Sequence, residues 1–167
     1  MTAAQPDDLR WLIDRLREAH LPDQGIRVSE SERYLIARNQ AGVALGGFGL
    51  ELHPPCALLR SLVVRADARG GGLGRTLVSA AEDLAREHGV RSMYLLTLDA
   101  DAFFRRLGYV EIPRDVVPDE IQKTGEFAIL CPASAICLSK RLAAVSGPEA
   151  RDDAGPGSEF DDPASAG

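Results

Sequence analysis

Apolar positions along the 167-residue chain change their period several times, and each change marks an element. Leu9, Leu12, Ile13, Leu16 and His20 recur at three and four residues, so residues 7–20 are read as an amphipathic helix halted near Pro22. Segments 34–38 and 43–51 flank Asn39-Gln40-Ala41-Gly42, which predicts a hairpin. Pro54-Pro55 turns the chain into a third strand over 57–64. Leu73, Leu77, Ala81, Leu84, Ala85 and His88 then share one face of a helix closed by Gly89. Residues 92–98 form a strongly apolar strand, 100–107 a short helix ended by Gly108, and 109–112 the start of another strand. A helical turn is expected over 118–124, and strands over 127–131 and 135–140 complete the sheet. An antiparallel meander, a helix, a crossover strand and a terminal hairpin define an α+β mixed sheet flanked by helices.

The densest chemistry lies where the third strand runs out. Leu62, Val63 and Val64 lead through a short polar link into Arg69-Gly70-Gly71-Gly72-Leu73-Gly74-Arg75, and a long helix follows at once. Strand, glycine loop and helix start in that order make an anion cradle. Glycine lets the backbone turn and approach, and the free N–H groups of the first helical turn point at the anion with the helix dipole behind them. The loop lacks the Lys-Ser/Thr ending of a nucleotide P-loop, and no acidic residue ends a second strand about 20 residues on.

Composition narrows the classes. The length suits one domain, expected over 1–145. No apolar run approaches the roughly 20 residues of a membrane span, and the start is polar and acidic, so a cytoplasmic location is expected. The net charge of −6 is concentrated at the end: Glu149, Asp152, Asp153, Glu159, Asp161 and Asp162 face only Arg151. Residues 146–167 are therefore expected to form an acidic, disordered tail. The nearly neutral body has no basic stripe for nucleic acid. Cys56, Cys131 and Cys137 have neither disulfide nor zinc spacing.

Arg69, Gly72 and Gly74 after a Val-Val strand end resemble the acetyl-CoA pyrophosphate loop of the GNAT N-acetyltransferases. Phe103-Phe104-Arg105-Arg106-Leu107-Gly108-Tyr109 resembles the helix-end signature of the same family. The strands Ala57-Leu58-Leu59-Arg60-Ser61-Leu62-Val63-Val64 and Tyr94-Leu95-Leu96-Thr97, with the block from Phe127 to Ala135, are similar to the arsenic-resistance-associated branch. That branch is itself similar to the acetyltransferase domain of N-acetylglutamate synthase. The resemblance covers about residues 5–142. It implies a mostly antiparallel sheet splayed at the acetyl-CoA site, acetyl-CoA as co-substrate, and a small-molecule amine as acceptor to a monomer or homodimer. It departs in two places: a first strand has only the six residues before the Asp7 helix to form in, and Phe104 stands where many members place a tyrosine that protonates the leaving thiolate.

Roles follow from the chemistry of acetyl transfer. The N–H groups from Arg69 to Arg75 are expected to hold the pyrophosphate, and the edge of Leu62, Val63 and Val64 to pair with the pantetheine amides. A backbone N–H of Leu62 or Val63 would stabilise the thioester oxyanion. Glu51, ending an apolar strand, is the candidate base; the alternative is a solvated strand-end acid beside His53. Arg60 interrupts an otherwise apolar strand and must meet an anion or reach solvent; a substrate carboxylate is one such anion, and Glu51 of the neighbouring strand is the alternative. Ser61 beside it and Thr97 at the next strand end are candidate substrate contacts. Lys123, Arg114 and Lys140 are surface cations or additions to an acidic-substrate site. Cys131 and Cys137 are soft ligands or, alternatively, small apolar core residues, and no metal is expected.

Overall fold

The computed structural model describes residues 1–26, 29 and 31–143, and the acidic segment 146–167 lies outside them. In chain order its elements are β1 (Thr2–Ala3), α1 (Pro6–Glu18), β2 (Glu32–Arg38), β3 (Ala44–His53), β4 (Cys56–Val64), α2 (Leu73–Glu87), β5 (Ser92–Thr97), α3 (Asp101–Arg106), β6 (Val110–Glu111), α4 (Asp119–Gln122) and β7 (Ile136–Arg141). The seven strands form one sheet in the order β1-β2-β3-β4-β5-β7-β6. Every neighbouring pair is antiparallel except β4 and β5. The short chain start does form the first strand, with Thr2 opposite Ile36 and Ala3 opposite Leu35.

β3 is buried along nearly its whole length because helices cover both of its faces. On one face Phe48, Leu50, Leu59, Met93 and Leu95 meet Leu77, Val78, Ala81 and Ala85 of α2. On the other, Leu12 and Leu16 of α1 pack on Tyr34 and Val63, while Cys56, Leu58 and Cys137 pack on Ile121 and Phe127. Each large side chain buried in this way contributes about 1.5–3 kcal/mol. Among the described residues no helix is long and apolar enough to cross a membrane.

Two features open the sheet at its middle. Pairing of β4 with β5 runs only from Cys56, Ala57 and Leu58 to Ser92, Met93 and Tyr94, after which the strands diverge. In β4 the register against β3 jumps, with Gly47 opposite Val63 and Gly49 opposite Arg60. Phe48 thus faces two residues, and Ser61 is held at φ 53 in a bulge. The extra residue keeps Leu59 and Leu62 on the α2 side although they are three apart, and Val63 on the α1 side.

The expected strand over 127–131 is not one. Glu126–Leu130 forms a wide π-helical turn, with the Cys131 N–H donating to the Glu126 carbonyl at 3.0 Å. A strand would put Phe127 and Ile129 on one side, yet Phe127 is buried and Ile129 is 81% exposed. The turn aims Glu126 and Phe127 inward together, and Arg114 holds it by donating to the carbonyls of Phe127 and Pro132 at 2.9 Å each. The sheet ends instead with β7 beside the short β6, so the expected terminal hairpin is replaced.

Candidate active site

The splay leaves a cavity of about 170 Å³ between β4 and β5. Arg60, Ser61 and Leu62 line one side, Leu95 to Ala100 the other, with Phe103, Phe104, Glu126 and Cys131 closing it. Past Leu58 the β4 edge has no partner strand among the described residues, so an extended amide-bearing chain can pair with it as a strand would. The bulge at Ser61 interrupts the pairing with β3 beside Leu62, and both residues line this gap.

The glycine loop sits where β4 gives way to α2. Gly70 and Gly72 hold φ values of 82 and 83, and Gly72 caps the fifteen-residue helix. Such left-handed turns are where a side chain is strained and glycine is not. A Cβ at Gly70, Gly71 or Gly72 would meet nothing within 4 Å, so the space beside this backbone is open. Among the described residues no turn or cap bond uses the N–H groups from Gly70 to Arg75. Open space, free donors and a helix N-terminus fit a pyrophosphate, and the unpaired β4 edge fits pantetheine. Arg69 folds its Nε back to the Val64 carbonyl at 3.1 Å, tying loop to strand.

The cavity floor is charged and buried. Arg60 is buried, its Nη1 donating to Glu51 Oε1 at 2.5 Å and its Nη2 to the Gln24 carbonyl at 2.9 Å. Nη2 also lies 3.0 Å from Glu126 Oε2, close enough for an ion pair but not aligned as a hydrogen bond. Room for this comes from Gly49, where a Cβ would lie 2.5 Å from Tyr34 Cε1 and 3.1 Å from Arg60 Cγ. Burial works against the Arg60 charge, but Glu126, Tyr34 and Glu51 more than restore it and raise its pKa. Burial raises the pKa of Glu126, against the lowering effect of Arg60. Glu32 and Glu51 face one another across β2 and β3, and the Tyr34 hydroxyl lies 3.4 Å from Glu32 Oε2. Beyond Arg60 a second, more polar cavity of about 300 Å³ is lined by Glu32, Glu51, His53, Glu120 and Lys123. Arg60 borders both cavities.

The structure therefore brings Arg60, Ser61, Leu62 and Thr97 to one cavity, and places Glu51 on the other. The Thr97 hydroxyl accepts the Ala100 N–H at 3.0 Å, which shapes the turn into α3. Phe104 is buried edge-on to Phe103 and Tyr109. Lys140 pairs with Glu82 at 2.8 Å, away from the floor. Burial, then Glu126, pushes the Cys131 thiol up to about 12, and burial pushes Cys137 up to about 11. Neither is a thiolate at neutral pH, the form that binds soft metals. Glu126 was not singled out from the sequence. An acid directly before an apolar run carries no local signal of burial, unlike Arg60 inside its strand.

This arrangement agrees with the comparisons to known proteins. The sequence profile of the acetyltransferase (GNAT) family matches residues 4–109, and the chain belongs to that family. It is 38% identical over 81 residues to the uncharacterized N-acetyltransferase CT2212 of Chlorobaculum tepidum, a stretch covering 48% of this chain and 50% of the relative. The chain thus matches about half the length of that curated relative. Among solved structures it resembles N-acetylglutamate synthase from Neisseria gonorrhoeae, complexed with coenzyme A and N-acetyl-glutamate. There the TM-score is 0.68 at 21% identity over 86% of this chain and 34% of that one. A GNAT-family acetyltransferase from Staphylococcus aureus Mu50 gives 0.66 at 16% identity, over 85% of this chain and 98% of the other. At such identities the likeness shows the fold.

Proposed function

We propose that the chain is an acetyl-CoA-dependent N-acetyltransferase that acetylates the amino group of a small amino-acid-like molecule. The observation that carries this reading is the splay of β4 from β5, with an open glycine cradle at one end and a buried charged floor at the other. Acetyl-CoA supplies an acetyl group activated as a thioester. The Arg69 N–H is spent on the Ala66 carbonyl at 3.4 Å, so the N–H groups from Gly70 to Arg75 hold its pyrophosphate, and the Leu62 to Val64 edge pairs with its pantetheine. The N–H at Leu62 or Val63 steadies the oxyanion, a contribution of about 3–4 kcal/mol in comparable sites. Carboxylates at the floor attract the acceptor's ammonium, and Ser61 and Thr97 flank it. Phe104 offers no proton, so water or the acceptor nitrogen itself reprotonates the leaving thiolate.

For the acceptor, an Arg60 that already faces Glu51 and Glu126 can read a substrate carboxylate only by exchanging one of them. The resemblance to the arsenic-resistance branch supports an amino-acid-like organoarsenical as one acceptor. Glutamate, whose acetylated form is bound in the gonococcal structure, is the other. Coenzyme A release is measured with free amino acids, organoarsenical amino acids and the matching carboxamides. An acid turned over much faster than its carboxamide supports carboxylate reading by Arg60. Equal rates leave Arg60 as a structural cation, and binding of acetyl-CoA with no release for any amine makes the chain an acyl-CoA-binding module.

A further inference from the structure

We propose that Glu126 is the base that deprotonates the acceptor ammonium, and that Glu51 is the residue that positions Arg60. This rests on the acetyltransferase reading above and assigns the chemistry within it. The first argument is place. Glu126 lines the cavity that also holds Leu62, Thr97 and Phe104, where the acetyl carbon must arrive. Glu51 lines the second cavity, on the far side of the Arg60 guanidinium. A base must reach the proton it removes directly or through one water.

The second argument is the use of lone pairs. Glu51 Oε1 takes the Arg60 Nη1 donor at 2.5 Å, and its Oε2 lies 3.8 Å from His53 Nε2. Among the described residues Glu126 Oε1 accepts only the weak thiol donor of Cys131, at 3.5 Å. Its Oε2 is buried without a hydrogen bond among the described residues, 3.0 Å from Arg60 Nη2. Charge pairing with Arg60 leaves that oxygen, in a side chain about nine-tenths buried, without an aligned donor, a place for a ligand or water to fill. An ammonium entering the cavity supplies the missing donor.

The groups facing Glu126 set its behaviour. Arg60 comes from β4, Glu51 from β3 and Cys131 from the following loop, while Glu120 in α4 and Lys123 just after it line the other cavity. Burial outweighs Arg60 and leaves the carboxyl above its ordinary range, nearer to that of a working base. In the reaction the Glu126 carboxylate takes one proton from the ammonium. The freed nitrogen forms the C–N bond, the C–S bond breaks, and the nitrogen's second proton passes to the departing thiolate. Glu126 then returns its proton to solvent.

The test compares wild type, Glu126→Gln, Glu126→Asp and Glu51→Gln, using the fastest amine of the acceptor panel. Glu126→Gln should lower kcat by about 10²–10⁴-fold at neutral pH and abolish the acid limb of the pH profile. Activity should return in part as the free amine becomes abundant in alkali. Below its pKa Glu126 is protonated and cannot accept, so the wild-type limb should fall above the ordinary carboxylate range. Glu126→Asp should keep that limb at reduced kcat, which a packing role would not do. Glu51→Gln should retain the limb and mainly raise KM. Loss of the limb in Glu51→Gln with its retention in Glu126→Gln overturns the proposal. A second readout needs no turnover: the ¹³C carboxyl signal of Glu126, assigned by its loss in Glu126→Gln, should titrate above the exposed carboxylates. Titration together with them also overturns it. Failure of the transferase reading is recognised separately, by wild-type protein that binds acetyl-CoA yet acetylates no amine.

Discussion

The glycine loop and the floor of the splayed cavity are built on opposite principles. On the proposed reading the backbone does the binding at the glycine end, on the surface, with donors left open and, among the described residues, nothing within 4 Å of a Cβ at Gly70, Gly71 or Gly72. At the floor the side chains do it, out of water, with Arg60 held between two carboxylates. An exposed backbone cradle costs the fold almost nothing, because water serves its N–H groups until a ligand comes. A buried guanidinium costs several kcal/mol in desolvation, which only well-placed anions offset. Changes at the glycine end should therefore show mainly in affinity, with stability touched only where φ is positive, and changes at the floor in stability and turnover together.

The largest expected effect is at the floor. Arg60→Met keeps the volume but leaves Glu51 and Glu126 facing each other without a cation. Breaking a buried pair in this way costs about 3–5 kcal/mol, which chemical denaturation would read as a lower midpoint. Adding Glu51→Gln and Glu126→Gln should recover much of that loss, since the charges go with their counter-charge. A triple variant no more stable than Arg60→Met would show that shape, and not charge balance, governs the floor.

At the glycine end the expectation is reversed. Gly71 is not in the left-handed region, and a Cβ there meets nothing, so Gly71→Val should leave the unfolding midpoint within error. Acetyl-CoA should bind at least tenfold more weakly, about 1.4 kcal/mol by calorimetry, because the pyrophosphate must approach this backbone. Gly72→Val adds a β-branched residue at φ 83 and should lose some stability as well as affinity. Unchanged affinity in a folded Gly71→Val protein would remove the loop from the cofactor site.

The same contrast decides what could be read from residues alone. The glycine loop was legible because strand, turn and helix start are contiguous, and each obeys local rules. Arg60 was legible as a charge inside an apolar strand, and so was its alternative partner Glu51, since adjacent meander strands must pair. The sheet order followed for the same reason, up to β5. Glu126 was not legible. It reaches Arg60 only because residues 126–130 wind into a π turn, and the apolar run Phe127-Ala128-Ile129-Leu130 has the composition of a strand. Nothing local chooses between the two; Thr124, Arg114 and the core around Ile121 do. The bulge at Ser61 was hidden likewise, because an added residue leaves the apolar pattern of β4 intact.

The smallest expected effect sharpens the contrast within the acceptor side. Lys123 shares the second cavity with Arg60, yet its ammonium lies 3.9 Å from Asp119 with both side chains about four-fifths exposed. Water already screens that pair, so Lys123→Ala should change stability by no more than about 0.5 kcal/mol. What Lys123 can do is attract an anionic acceptor to the rim. Its loss should raise the acceptor's KM a few-fold at low ionic strength and leave kcat and acetyl-CoA affinity alone. The Debye length falls from about 10 Å at 0.1 M salt to about 3 Å at 1 M, so the difference should vanish at the higher salt. A KM effect that persists there would mean direct contact with the acceptor. That would make Lys123, and not the already paired Arg60, the residue that reads its carboxylate.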